Sequence, residues 1–140
     1  MPSDIEKAIP HRSPMLLVDE IVTQSEKEIH CRKTFADSDF FVQGHFPDYP
    51  LVPGVILCET ALQSGAILLS ELTPSTGAVP VATRLDGVKF KQMVRPGDTI
   101  DIHVTLKDVV STAYFLTGKI SVGGKLAARL DFACTVAEPS

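Results

Sequence analysis

The longest apolar run in the chain, residues 55–72, is interrupted by few polar side chains. It is apolar nearly all round rather than along one stripe, which predicts a buried helix. Ser64 and Gly65 break the run, and it also holds Glu59 and Gln63, so it does not read as a membrane span. Elsewhere the period changes from that of a helix to that of a strand. Ile100, Ile102, Val104 and Leu106 alternate with polar neighbours, as in a strand covered on one face. Similar patterns predict strands over residues 15–22, 28–35, 81–90, 99–109, 113–122 and 125–136. Polar residues 23–27, Arg95-Pro96-Gly97-Asp98 and the hairpin signal Gly123-Gly124 punctuate them as turns, and 73–80 reads as a loop. A short helix over residues 3–8 would have Ser3 as its N-cap and Glu6 completing a capping box. The expected layout is α+β: two strands, one buried helix, then a long antiparallel meander curling round that helix.

A length of 140 residues suits a single domain, 1–140, with a real core. A hydrophobic fraction of 44% with 21% charged residues fits a soluble globular protein. The net charge of −4 disfavours a nucleic-acid partner. An acidic protein partner would need only a local basic patch, and Lys89, Lys91 and Arg95 could form one. Cys31, Cys58 and Cys134 are scattered with no CxxC pair, so neither a zinc site nor any other metal site is expected. Sparse, odd-numbered cysteines suit a reducing compartment, and the first residues carry no signal-peptide pattern. The expected location is the cytoplasm.

The chemistry concentrates in Gly44-His45-Phe46-Pro47-Asp48-Tyr49-Pro50-Leu51-Val52-Pro53-Gly54 and the helix that follows. Proline fixes φ, so Pro47, Pro50 and Pro53 stiffen a loop that carries a single imidazole, His45. Glu59 and Gln63 stand at i and i+4, on one face of the helix. An apolar setting desolvates a carboxyl and favours its protonated form, which suits a general acid. No Ser, Thr or Asn between Tyr49 and Gly54 offers an N-cap, so the N–H groups of the first turn could hold a carbonyl oxygen that gains charge. The bland alternative is a buried Glu satisfied by Gln63. His11, His30 and His103 are read as structural or exposed residues.

These residues resemble the FabZ-type 3-hydroxyacyl-[acyl-carrier-protein] dehydratases. The resemblance is carried by Ile9-Pro10-His11-Arg12-Ser13-Pro14 with Leu17-Val18-Asp19, and by the His45 loop running into Glu59 and Gln63. Val88-Lys89-Phe90-Lys91 with Val94, Pro96, Gly97 and Asp98 adds a third block. The resemblance implies a hot-dog fold, a curved antiparallel sheet wrapped round one central helix. It implies that His45 and Glu59 are catalytic, that the Gly54 N–H binds the thioester carbonyl, and that Gln63 orients Glu59. It further implies no cofactor, an acyl carrier protein bearing a phosphopantetheine-linked chain as partner, and a homodimer, with a trimer of dimers as the larger assembly. In such a dimer the His and Glu of one site come from opposite subunits. The acyl tunnel is expected beside Leu62 and Phe90. Leu62 stands where the family usually has alanine, and Arg84 lies in a stretch where it commonly has an aromatic followed by small residues. The rival expectations are a hot-dog thioesterase, a dehydratase–isomerase and a non-catalytic acyl-binding subunit.

Overall fold

The computed structural model describes residues 4–72 and 79–137. Its centre is helix α2 (Gly54–Ser70), preceded by the short α1 (Asp4–Ala8). The strands are β1 (Glu20–Gln24), β2 (Glu28–Thr34), β3 (Val79–Phe90), β4 (Thr99–Val110), β5 (Ala113–Val122) and β6 (Lys125–Ala137). All six form one sheet in the order β1-β2-β4-β5-β6-β3, with every pairing antiparallel. Five of its strands, β2 to β6, touch α2. Alternation along β4 turns Ile100, Ile102 and Val104 inward, fully buried, while Asp101 and His103 face outward. Leu116 and Ile120 of β5 and Leu130 and Phe132 of β6 complete the layer against Ile67, Leu68 and Leu69.

Inside α2, buried hydroxyls bond back to the helix. Thr60 Oγ1 donates to the Leu57 carbonyl at 2.6 Å and Ser64 Oγ to the Thr60 carbonyl at 2.8 Å. With these hydroxyls satisfied within the helix, helix and sheet can close tightly. They do so at Gly118, where an added Cβ would lie 2.9 Å from the Cβ of Ala61. That methyl has no rotamer to escape into. Gly118→Ala is therefore expected to lower unfolding stability by about 1–3 kcal/mol, read from a urea melt. An unchanged midpoint would mean the two layers have slack there.

Three expectations need correcting. The first strand does not begin near Met15: β1 starts at Glu20. Leu17 and Val18 are buried, which gives the run its strand-like look. The Leu17 N–H and the Met15 carbonyl, however, are bonded to the side chain of Gln63 and are not free for a ladder. The last four strands are also not a plain meander. Strands β4, β5 and β6 are, but β3 pairs with β6 at the far edge, while β4 pairs with β2. The connection out of β3 is anchored elsewhere: Lys91 N–H bonds Ala127 O at 2.7 Å and Val52 N–H bonds Val94 O at 2.8 Å. No hairpin can form under those constraints. Finally, α2 starts at Gly54 and ends at Ser70, shorter at its end than the apolar run suggests. The expected loop 73–80 falls largely on residues 73–78, outside the described residues, as does the Ser3 cap; Val79 and Pro80 already belong to β3.

Strand β3 leaves one edge of the sheet open. Among its side chains, Val81, Leu85, Val88 and Phe90 are all exposed. A long edge with uncovered apolar residues is a surface that another strand can add to.

Candidate active site

His45 is held from several directions. Its own N–H bonds the Val42 carbonyl at 3.0 Å, and its carbonyl accepts the Leu51 N–H at 2.8 Å. The ring stacks on Phe46, with centroids 4.4 Å apart. Nδ1 lies 3.2 Å from the Leu51 carbonyl oxygen. A carbonyl can only accept, so Nδ1 carries the hydrogen, and in the neutral ring Nε2 holds the lone pair. The tight loop thus fixes both the place and the tautomer of a potential base.

His45 lines a mainly apolar recess of about 400 Å³ together with Gly54, Val55, Phe90 and Met93. Pro53 stands at the N-cap of α2 and makes no side-chain cap, as the sequence suggests. The Phe90 ring lies directly against Gly54, where an added Cβ would come within 2.8 Å of it. Glycine at this position therefore lets Phe90 form a wall of the recess while keeping the helix start bare.

Glu59 lines a different recess, of about 210 Å³, with His11, Leu62, Gln63, Ala66 and Cys134. The two linings share no residue. Gln63 is almost fully buried. Its Oε1 accepts the Leu17 N–H at 2.8 Å, and its Nε2 donates to the Met15 carbonyl at 2.8 Å and to Glu59 Oε2 at 2.9 Å. Backbone groups on both sides permit only one orientation of the amide. Its NH₂ is consequently locked toward Glu59, and a proton on that carboxyl belongs on Oε1. Glu59 keeps 27% of its side-chain exposure in one chain. The desolvation expected from its apolar helix is therefore incomplete within a single chain.

The other sequence candidates fall in several places. Leu62 lies in the Glu59 recess and Phe90 in the His45 recess, so the two tunnel candidates are separated within one chain. Lys89 and Lys91 flank Phe90 and are exposed. Arg95 is not a free cation: its guanidinium lies over the Tyr49 ring, 4.9 Å from the centroid, and donates to the Tyr49 hydroxyl. It fastens the loop after β3 to the His45 loop. Arg84 pairs with Asp86 at 2.6 Å on the open edge. On the outer face, His30 Nε2 and Arg32 Nε share Asp101 Oδ1 at 2.7 and 2.8 Å, and His30 stacks on His103. Those bonds, from Arg32 first and His30 second, hold the Asp101 carboxyl below its ordinary range. A further cavity of about 520 Å³, between α1 and the end of α2, contains none of the candidate catalytic residues.

His11, read from sequence as structural, stands beside Glu59, its Nε2 3.8 Å from Oε2. No local pattern reports this contact, which spans 48 positions. Its only trace in the sequence is the Pro-His-Arg block itself.

Comparison with known proteins gives the family and the fold. Residues 21–125 match the ApeI-like family, described as ApeI dehydratase. The chain is 40% identical to the 3-hydroxyacyl-[acyl-carrier-protein] dehydratase FabZ of Oenococcus oeni, over 92% of this chain and 94% of the relative. It is 38% identical to the protein of the same name from Koribacter versatilis, over 96% and 87%. The solved dehydratase heterocomplex ApeI:P from Xenorhabdus doucetiae superposes with a TM-score of 0.83 at 16% identity, covering 99% of this chain and 92% of that one. The E. coli PaaI protein from the phenylacetic acid degradation operon gives 0.67 at 17% identity, covering 83% and 81%. The sheet, its central helix and these likenesses define a hot-dog protein. Within that class, the chain belongs to the family of FabZ 3-hydroxyacyl-[acyl-carrier-protein] dehydratases.

Proposed function

We propose that this protein removes water from (3R)-3-hydroxyacyl chains carried on acyl carrier protein, giving the trans-2-enoyl thioester in fatty-acid or related acyl-chain synthesis. The observation that carries the mechanism is the recess in which His45, with Nε2 left basic, faces the uncapped start of α2 at Gly54. The thioester oxygen takes the Gly54 N–H, which stabilises enolate-like charge; one such donor typically contributes about 3–4 kcal/mol. His45 Nε2 removes the C2 proton. The C3–O bond breaks as Glu59 Oε1 delivers its proton to the departing hydroxyl, which leaves as water. His45 is then protonated and Glu59 ionised, and proton return through solvent resets both. Gln63 holds Oε2 and so reserves Oε1 for the transfer.

Two copies are proposed to pair along their open β3 edges. The recess holding His45 and Gly54 in one copy then meets the recess holding Glu59 and Gln63 in the other, and Leu62 and Phe90 line one continuous tunnel. Support comes from the exposed apolar residues of β3 and from the separate linings of the two recesses. Further assembly into a trimer of dimers is part of the same reading. Lys89 and Lys91 flank Phe90 at the recess mouth, where they suit an acidic carrier protein; Arg95 contributes by bracing Tyr49. A cytoplasmic location is supported by three free, buried cysteines. No helix among the described residues is long and apolar enough to cross a membrane.

The test is direct. Purified protein is incubated with 3-hydroxyacyl carrier proteins of several chain lengths, and loss of one water is followed by mass. Dehydration at catalytic rates is expected. Hydrolysis to a free acid and free carrier thiol would instead make this a thioesterase.

A further inference from the structure

We infer that His11 is a positioning residue of the Glu59 half-site, its Nε2–H taking Glu59 Oε2 so that the transferable proton is kept on Oε1. The inference deepens the dehydration reading and rests on it. It starts from how His11 is placed. The turn after α1 is tied down by Arg12, whose Nη1 donates to the Ile9 carbonyl at 2.9 Å and to the His11 carbonyl at 2.7 Å. Its Nη2 donates to the Glu6 carbonyl at 2.9 Å. The next residues are stitched to α2 through Gln63. His11 is thus carried on a segment fastened on both sides.

The ring is held asymmetrically. Among the described residues Nδ1 is buried with no hydrogen-bond partner, whereas Nε2 points to the Glu59 recess, 3.8 Å from Oε2. A hydrogen on Nδ1 would bury an unpaired donor. The tautomer with its hydrogen on Nε2 leaves only an acceptor unpaired and presents an N–H to the carboxyl. A separation of 3.8 Å is longer than a hydrogen bond. Such contacts commonly tighten when substrate fills a site. Glu59 Oε2 then receives two donors, from Gln63 and His11, and Oε1 alone is left to carry the proton.

Among the described residues, little else can play this part. The stretch of β3 in the recess supplies Pro80, Val81 and Ala82, none titratable. From β6 comes Cys134, whose thiol burial pushes up to about 11, so it stays uncharged near neutral pH. The Arg12 cation is turned toward Glu6, Nε to Oε2 at 3.3 Å.

The experiment compares wild type with His11→Leu and His11→Gln for dehydration of a 3-hydroxyacyl carrier protein, with a melting curve on each. Leu fills the space without a donor; the Gln amide can place an N–H near where Nε2 stands. His11→Leu is expected to lower kcat about tenfold with KM and Tm little changed, as for one lost positioning hydrogen bond. Its alkaline limb in kcat/KM should move to higher pH, because a donor to the carboxylate favours the charged form. His11→Gln should recover most of the rate. Equal rates in the two variants, or a rate loss that follows Tm in both, would overturn the inference. A wild type that does not dehydrate overturns the activity reading itself; an active wild type with wild-type-like His11→Leu overturns only the role of His11.

Discussion

His45→Ala and Glu59→Gln are each expected to lower dehydration by about 10²–10⁴-fold with the fold intact, the usual cost of removing a general acid or base. The two losses have different origins. Alanine removes the Nε2 lone pair that Leu51 O reserves as a base by holding Nδ1–H. Neither backbone bond at residue 45, to Val42 O and from Leu51 N–H, involves the ring, so the loop should keep its shape. Gln in place of Glu59 keeps an oxygen that can accept from Gln63 Nε2. It cannot deliver a proton as an acid. Rates should be measured at saturating and at limiting substrate, since loss of a group acting only in the transition state lowers kcat and kcat/KM together. Near-wild-type turnover in either variant would remove that residue from the chemistry.

Mixing the two inactive variants should restore activity. His45 and Glu59 line separate recesses in one chain, so each complete site in the proposed dimer draws on two copies. In a dimer of one His45→Ala and one Glu59→Gln chain, one of the two sites receives native residues from both. With free exchange of an equal mixture, half of the dimers are mixed, and about a quarter of the sites should be whole. Activity should therefore rise from near zero to about a quarter of wild type, with subunit exchange followed by native mass spectrometry. A double variant mixed with either single variant should recover nothing and serves as the control. Proven exchange without recovery would place both groups of a working site in one chain.

Much of this molecule is legible in its sequence where the physics is local. The apolar run over α2 is a helix because nearly every face is covered, and the alternation along β4 directly reports which face meets it. The Gly123-Gly124 turn, with both residues at positive φ, needs only a two-residue signal. The pairing of Glu59 with Gln63 follows from one helical turn. What the sequence does not show depends on distant partners. Leu17 and Val18 look like a strand until Gln63 takes the backbone groups around them. Strand β3 looks like one arm of a meander until its far end is tied to Ala127. His11 looks incidental until a fastened turn delivers it to Glu59.

The open edge of β3 has a practical consequence. If whole sites exist only in pairs of chains, the amount of working enzyme depends on the square of chain concentration once a sample is dilute enough to come apart. Specific activity should then fall on dilution and recover on concentration, and preincubation time before assay becomes a variable in its own right. A turnover number is meaningful for this protein only beside the chain concentration at which it was taken.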